Sequence, residues 1–559
     1  MSRLNRKLIK LLPILLILFL GTYLRFYKLN WGENYFFHPD EYHISAAVEK
    51  ISFPSNLNPH LFSYGSFSVY LIYFSRELIT VFSKNFQYIS PFLIGRFYSA
   101  LFSTLTIINI YLIAKRLFRS KVLVLTSATL TSLMPGLIQQ AHFATPESTL
   151  TFFLTLSIYL WLRWLDERKM WALLLSAVSL GFASATKITS ALILPILFTL
   201  PFVKDRISKK NLWIKARQSF LILSLFFTTL FLTFPYAFLD YRSFRNSMAY
   251  EGSVAAGKLL VFYTRQFIDT KPFVFQFTKI LPYTLGWGIL IPSIVGLILL
   301  LIHLSNNFLK RSSIDYKAVI VLLSFILLFV PNSFLFAKWT RFINPTFAFF
   351  SLFATYFIQE TLSFLKSSKY KKKLLNILAL VIIIPTCIWS LMFFSIYTKR
   401  DVRITATYWV NTNIPKNSLI LTETGNTLEV PLFGGYNKIA FDFYNLDTSP
   451  ILQNQLIQIL SSSDYFIIQS RRIFMNEQKL PTQFPITSNF YNLLFSGKLG
   501  FKEVAEFNSF PTLKIGNLKL EINDERGEET WSVFDHPVIR IFKKVNSHPA
   551  SYYDQILEI

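Results

Sequence analysis

Within Phe37-His38-Pro39-Asp40-Glu41-Tyr42-His43 two carboxylates stand side by side, flanked by histidines and aromatic residues. The stretch follows the first hydrophobic segment, at the border between an apolar helix and a polar loop. Acidic groups at a membrane boundary are costly to desolvate and more often mark a function than a packing need. A carboxylate here has two uses. It can act as a base, or it can cap the helix that Pro39-Asp40 opens and that runs from Tyr42 to Lys50. Both fit the spacing.

A second set of chemistry-bearing residues is basic. Lys187 lies in Ala185-Thr186-Lys187, and Lys338 and Arg341 lie in Phe336-Ala337-Lys338-Trp339-Thr340-Arg341. The loop from Asp240 to Ile280 carries Arg242, Arg245, Lys258, Arg265, Lys271 and Lys279 against Asp240, Glu251 and Asp269. Cations at helix ends suit an anionic headgroup, with arginine favoured for bidentate phosphate contact. Any single one also fits a side chain snorkelling to the interface. Set opposite a carboxylate, they define a reaction. A sugar attached through phosphate leaves a stabilised anion, so one carboxylate acting as base on an acceptor hydroxyl suffices, where a glycosidase needs two. The cations hold the donor and stabilise the charge that develops.

The elements that must position these residues are membrane helices. The 559 residues are 52% hydrophobic and include 59 Phe, and the mean hydropathy is +0.41. That is too apolar for an ordinary soluble chain. The net charge of +25 would suggest nucleic acid in a soluble protein. Here the placement of the charges matters more, and no nucleic-acid partner is expected. The single cysteine, Cys387, excludes an intramolecular disulfide.

Arg3, Arg6, Lys7 and Lys10 precede the run Leu11 to Leu24, which no small-residue cleavage site follows, so it reads as an uncleaved first helix. Residues 30 to 92 form a long loop with surface helices, Tyr64 to Phe82 among them. Further spans run near Pro91 to Lys115, Leu123 to Gln139, Thr149 to Leu165, a hairpin of two short helices from Trp171 to Val203, Phe220 to Leu239, Leu281 to Leu304, Ala318 to Leu335, Phe342 to Leu365 and Leu374 to Ile396. Basic stretches at 115–121, 168–169, 204–217, 310–311 and 366–373 then fall on one side. The expected fold is an all-α membrane bundle of about eleven transmembrane helices, with a cytoplasmic N-terminus. From Lys399 the composition changes. Segments Ser418 to Leu421, Tyr465 to Ile468, Thr512 to Leu520 and Val538 to Phe542 read as strands, and Ile404 to Val410 and Leu452 to Leu460 as helices. A small extracytoplasmic α/β domain with parallel inner strands is expected over 399–559, after a membrane module at 1–398.

The ordered pieces carry a resemblance. Asp40-Glu41 after the first span is similar to the acidic motif in the first outer loop of the GT-C superfamily of glycosyltransferases. Family 39 resembles the chain most: protein O-mannosyltransferases, aminoarabinose transferases acting on lipid A, and their uncharacterised bacterial cousins. Tyr64-Gly65-Ser66, Gly95-Arg96-Phe97-Tyr98-Ser99-Ala100, His142-Phe143-Ala144-Thr145-Pro146-Glu147, Ala185-Thr186-Lys187 and Arg341-Phe342-Ile343-Asn344-Pro345 match in order, over residues 8 to 400. Leu494 to Phe501 and Phe534-Asp535-His536-Pro537 resemble the tails of the uncharacterised group.

The resemblance implies a polyprenyl-phosphate sugar donor, a lipid, glycan or protein acceptor, and inverting transfer without metal or cofactor at the outer face of the cell membrane. Asp40 matches the position of the family's base, with Glu41 and Glu147 beside it as catalytic candidates. Glu147 stands where relatives usually carry Asp. Lys187, Arg341 and Arg96 match positions expected near the donor phosphate, and Arg265 joins them as a basic residue of the outer loop. The double-tryptophan acidic motif of oligosaccharyltransferases is absent, which argues against whole-glycan transfer to asparagine. Two other classes compete. A transporter, an alternative beside a lipid-binding membrane protein without transferase activity, would place its charges mid-span and in paired repeats, whereas here nearly all sit at helix ends and no repeat is found. A metal enzyme would draw on His38, Asp40, His43 and His60, whose histidines lack i, i+4 spacing.

Overall fold

Apolar runs of bilayer length fold as helices through the first 400 residues. The structure, a computed structural model, describes residues 3–82, 89–203, 209–310, 314–363, 368–424 and 429–559. Helices occupy Arg3–Phe26, Pro91–Leu117, Lys121–Ser132 with Pro135–Ala141, Glu147–Glu167, Met170–Thr186, Ile188–Phe202, Lys209–Thr233, Trp287–Leu309, Tyr316–Phe334, Phe347–Ser363 and Ser368–Thr398. Each of the eleven expected segments is therefore helical. Among the described residues six are long and apolar enough to cross a bilayer, or seven if the pair bent by 50° at Leu133-Met134 is one span. Met134 is extended and Pro135 starts the next helix, so the bend follows from proline's exclusion of helical backbone in the residue before it. Parts of the basic stretches 204–217, 310–311 and 366–373 lie outside the described residues.

Contacts divide the chain into two compact units. The first comprises 1–29, 40–256 and 271–394, the second 30–39, 257–270 and 395–559. Two short stretches before residue 395 thus belong with the second unit.

In the first unit small residues let helix backbones approach. A Cβ on Gly296 would lie 1.9 Å from the Phe353 carbonyl, which locks Trp287–Leu309 against Phe347–Ser363. Hydroxyls bond across helices, Ser127 to Thr355 at 2.8 Å and Thr131 to Ser351 at 2.9 Å. Glu147–Glu167 is central, with 83% of its apolar window buried, against 28% for Trp287–Leu309. Arg116 and Lys317 both bind Asp166, at 3.0 and 2.7 Å, so the ends of three helices meet at one end of the bundle. The loop after the first span holds two helices, Pro39–Glu49 and Ser66–Phe82.

Among the described residues the second unit contains seven strands, β1 Leu419–Glu423, β2 Asn437–Phe441, β3 Tyr465–Ile468, β4 Phe501–Phe507, β5 Thr512–Ile515, β6 Leu518–Glu521 and β7 Ile539–Lys544. The main sheet runs β2-β1-β3-β7-β4. β1 is parallel to β2 and β3, but β7 is antiparallel to β3 and β4. The expectation of parallel inner strands therefore fails at β7. The expected strand Thr512 to Leu520 is instead the β5–β6 hairpin, which turns at Gly516 with φ +57° and stays apart from the main sheet. Helices Val402–Asn413 and Pro450–Ser462 fall where the apolar periodicity puts them.

Candidate active site

The site lies wholly in the first unit, at the helix ends opposite those that meet at Asp166. Glu147 opens the helix that ends at Glu167, some 21 residues and roughly 30 Å away at 1.5 Å per residue. Its carboxylate sits at the positive end of that helix dipole. Lys187 follows the C-terminus of Met170–Thr186, where the dipole favours a cation, and its Nζ lies 3.4 Å from Glu147 Oε1. Arg341 is carried by the short helix Thr340–Ile343. Its Nη1 donates to Asp40 Oδ2 at 2.5 Å and to the Tyr64 hydroxyl at 2.6 Å. The Trp339 and Phe342 rings flank the cations, Trp339 at 4.9 Å from the Arg341 guanidinium and Phe342 at 5.1 Å from the Lys187 ammonium.

Two glycines bring these groups together. A Cβ on Gly65 would fall 1.8 Å from the Ala185 carbonyl, and Gly65 N–H donates to Thr186 at 3.0 Å. The motif containing Tyr64 and the motif containing Lys187 are thereby pressed backbone to backbone. Gly95 packs in the same way on Ala144, where a Cβ would meet the alanine methyl at 2.7 Å.

Asp40 lies in the first turn of Pro39–Glu49, and its carboxylate reaches Arg341, 301 residues away. Glu41 and Arg96, expected among the catalytic and donor-binding residues, are instead bound to each other with no exposed side-chain surface. Arg96 Nε and Nη2 donate to the two Glu41 oxygens at 2.8 and 2.7 Å, and Nη1 donates to the Leu29 carbonyl at 2.7 Å. Glu41 Oε1 also accepts from Ala144 N–H at 2.7 Å. This pair ties three of the matched motifs together and leaves neither side chain open to a ligand. Arg265 belongs to the second unit, where its guanidinium is engaged by Glu477 and the Tyr444 carbonyl and stacked 4.3 Å over Phe484.

The sequence reading passed over two groups. Tyr64 supplies a phenol that burial holds well above its usual range; Arg341 opposes this, and Asp40 and Glu147 add to it. Glu251, on the helix Tyr241–Ala255, is a third carboxylate, raised by burial against the pull of Arg341 and with Asp40 adding to the shift. Arg341 is held above its ordinary value although burial opposes it, because Asp40, Tyr64, Glu147 and Glu251 all bear on it. Its Nε is buried with no hydrogen-bond partner among the described residues. Among those residues no group of three or more His, Cys, Asp or Glu is placed to hold a metal ion. His38 packs on Phe534 in the second unit, and His60 lies 4.0 Å from Asp240.

Residues 15–241 match the dolichyl-phosphate-mannose-protein mannosyltransferase family. An uncharacterized protein of Aquifex aeolicus is 34% identical over 120 residues, 22% of this chain and 24% of the relative, so the match spans about a quarter of that protein's length. Among solved structures, the Archaeoglobus fulgidus oligosaccharyltransferase tethered to an acceptor peptide aligns at a TM-score of 0.54 and 13% identity, over 97% of this chain and 89% of that one. The oligosaccharyltransferase AglB from the same organism, in complex with an inhibitory peptide and a dolichol-phosphate, aligns at 0.51 and 14% identity, over 87% and 72%. Sequence across residues 15–241, the apolar helices and the overall fold agree: the chain is a multi-pass membrane protein with the GT-C glycosyltransferase fold.

Proposed function

We propose that this protein transfers a sugar from a polyprenyl-phosphate donor to an acceptor hydroxyl at the outer membrane face, with Asp40 as general base. One observation carries the reading. Asp40, Tyr64 and Arg341 are in hydrogen-bond contact beside the Lys187–Glu147 pair, at one end of an apolar helix bundle. A base thus stands next to two cations suited to a phosphate. The family matched by residues 15–241 is described by a dolichyl-phosphate sugar, and one structure of similar fold is a complex with dolichol-phosphate. Both support a lipid phosphate as the carrier.

The donor phosphodiester binds Arg341 and Lys187, and Tyr64 offers a neutral hydrogen-bond donor beside them. A carboxylate paired to a guanidinium is a weaker base than a free one. As Arg341 turns to the phosphate, Asp40 is freed to take the acceptor proton. The acceptor oxygen then attacks the anomeric carbon from the face opposite the phosphate, inverting it. The carbon–oxygen bond to phosphate breaks, its electron pair stays with the polyprenyl phosphate, and the proton rests on Asp40 until water removes it. Glu147 holds Lys187 in place for the phosphate.

The test is turnover of radiolabelled polyprenyl-phosphate sugars by purified Asp40→Asn and Asp40→Ala variants. Loss of a general base costs roughly 10²–10⁴-fold in rate, while Asn keeps the size and a hydrogen-bond acceptor, so thermal stability should hold. Asn caps a helix about as well as Asp, so a fully active Asp40→Asn enzyme with a destabilised Asp40→Ala would reduce Asp40 to a cap and sink the assignment.

A further inference from the structure

The proposed reaction changes the charge on its lipid. A donor phosphodiester carries one negative charge, and the polyprenyl phosphate left behind is a monoester carrying nearly two above neutral pH. Cations placed to bind the donor therefore hold the spent lipid harder. Release needs an opposing charge, and Glu251 is placed to supply it.

The helix Tyr241–Ala255 that bears Glu251 is fixed at both ends. At its start, the capping residue Asp240 accepts from Asn58 Nδ2 at 3.0 Å, within the loop that runs from Asp40 to Tyr64. At its end, the Ala255 carbonyl accepts from Ala337 N–H at 3.1 Å, four residues before Arg341. Glu251 sits one turn before that end, partly buried, with Arg341, Asp40 and Lys187 as its electrostatic neighbours. Its carboxylate accepts no hydrogen bond from the described residues, unlike Asp40 and Glu147. The cluster thus holds two cation–carboxylate pairs and one further carboxylate that accepts no hydrogen bond from the described residues.

We propose that Glu251 is a charge-selective release residue, a fixed negative group facing the phosphate-binding cations that weakens the hold on a doubly charged lipid phosphate more than on the singly charged donor. The inference rests on the lipid-phosphate reading above. It assigns Glu251 no part in bond making. Asp40 is paired with Arg341 and Glu147 with Lys187, which leaves Glu251 to set the preference between substrate and product.

The experiment needs no knowledge of the sugar. Dissociation constants of the full chain in detergent are measured at pH 8 for two probes, polyprenyl phosphate and its methyl ester, which carry two charges and one. A unit charge at a distance on the order of 10 Å, in an effective dielectric of about 20, is worth about tenfold in affinity per unit of ligand charge. Glu251→Gln, which keeps the shape, should therefore tighten both probes and shift the preference for the monoester by about tenfold. Glu251→Asp, which keeps the charge, should resemble the wild type. If both probes bind and Glu251→Gln moves their ratio by less than twofold, or Glu251→Asp behaves like Glu251→Gln, the release role is wrong while the lipid-phosphate reading stands. If the wild-type protein binds neither probe, both fall.

Discussion

Replacing Arg96 by methionine should damage the fold more than the chemistry. The substitution removes the two charge-assisted bonds to Glu41 and the bond to the Leu29 carbonyl. Glu41 is left fully buried with Ala144 N–H as its one partner among the described residues. Removing one member of a buried ion pair costs about 3–5 kcal/mol, most of it the penalty of the stranded charge. Glu41→Leu combined with Arg96→Met removes that charge. It leaves Ala144 N–H without its acceptor, at about 1–3 kcal/mol, and the Leu29 carbonyl without its donor. The double variant, despite losing more contacts, should be more stable than Arg96→Met alone. The assay is the apparent unfolding midpoint in one detergent at one heating rate, because membrane proteins of this size rarely refold reversibly. Donor affinity is measured on the surviving folded fraction. The reasoning is refuted if Arg96→Met melts with the wild type while its affinity for the lipid phosphate collapses, since that is the signature of a donor-binding arginine.

Gly65→Ala should cost more than tenfold in turnover with helix content preserved, because the added methyl displaces the Ala185 backbone and with it Tyr64 and Lys187. Gly252→Ala, with nothing within 4 Å of the new Cβ, is the silent control. Arg341→Ala and Lys187→Ala should each weaken donor binding by about 1.5–3 kcal/mol, with Arg341→Lys restoring only part; unchanged affinity in both alanine variants would return them to interfacial snorkelling. Reporter fusions after Arg119, Lys210 and Lys371 should read as cytoplasmic and those after Ser55 and Lys416 as outside; an outside signal at Arg119 would mean that Ser66–Phe82 spans. In the second unit His536 is raised to about 10, burial being outweighed by Asp524 and Asp535. A raised histidine stabilises below its unfolded value of about 6.5, and that contribution is lost as pH climbs toward 10. Amide exchange at Trp531 in the whole chain should therefore accelerate across that window beyond its intrinsic base catalysis, and His536→Gln should flatten the excess.

How much of this was legible in the sequence depends on the range of the physics. Apolar runs ending in lysine and arginine reveal each helix locally, so all eleven segments were readable. So were Lys187 and Arg341, which sit at helix ends where a cation draws notice. Partnerships were not legible. Glu41 and Arg96 are 55 residues apart, Asp40 and Arg341 301 apart, and no periodicity links them. Arg96 looks like a phosphate ligand until its partner is found. Glu251 was counted as loop charge because only the pinned helix beneath it turns it to the site. Strands β2 and β4 were missed for another reason: they are edge strands with exposed faces, and their mixed polarity resembles loop. The Thr512 to Leu520 run was misread because a single glycine folds it back on itself.

The second unit is assembled from three separate stretches, and that has a consequence for how the protein is made. Phe37 packs 3.7 Å from the Arg403 guanidinium, Glu33 binds Arg400 at 2.8 Å, and His38 lies on Phe534. At ~5–20 residues per second, the roughly 350 residues between the first of these stretches and Ser395 take on the order of 20–70 s to synthesise. Through that interval residues 30–39 and then 257–270 wait for a domain that does not yet exist. The membrane helices must therefore form without it. A fragment beginning at residue 399 would expose the apolar and charged surface those stretches cover, so expressed by itself it should collect in aggregates or on chaperones.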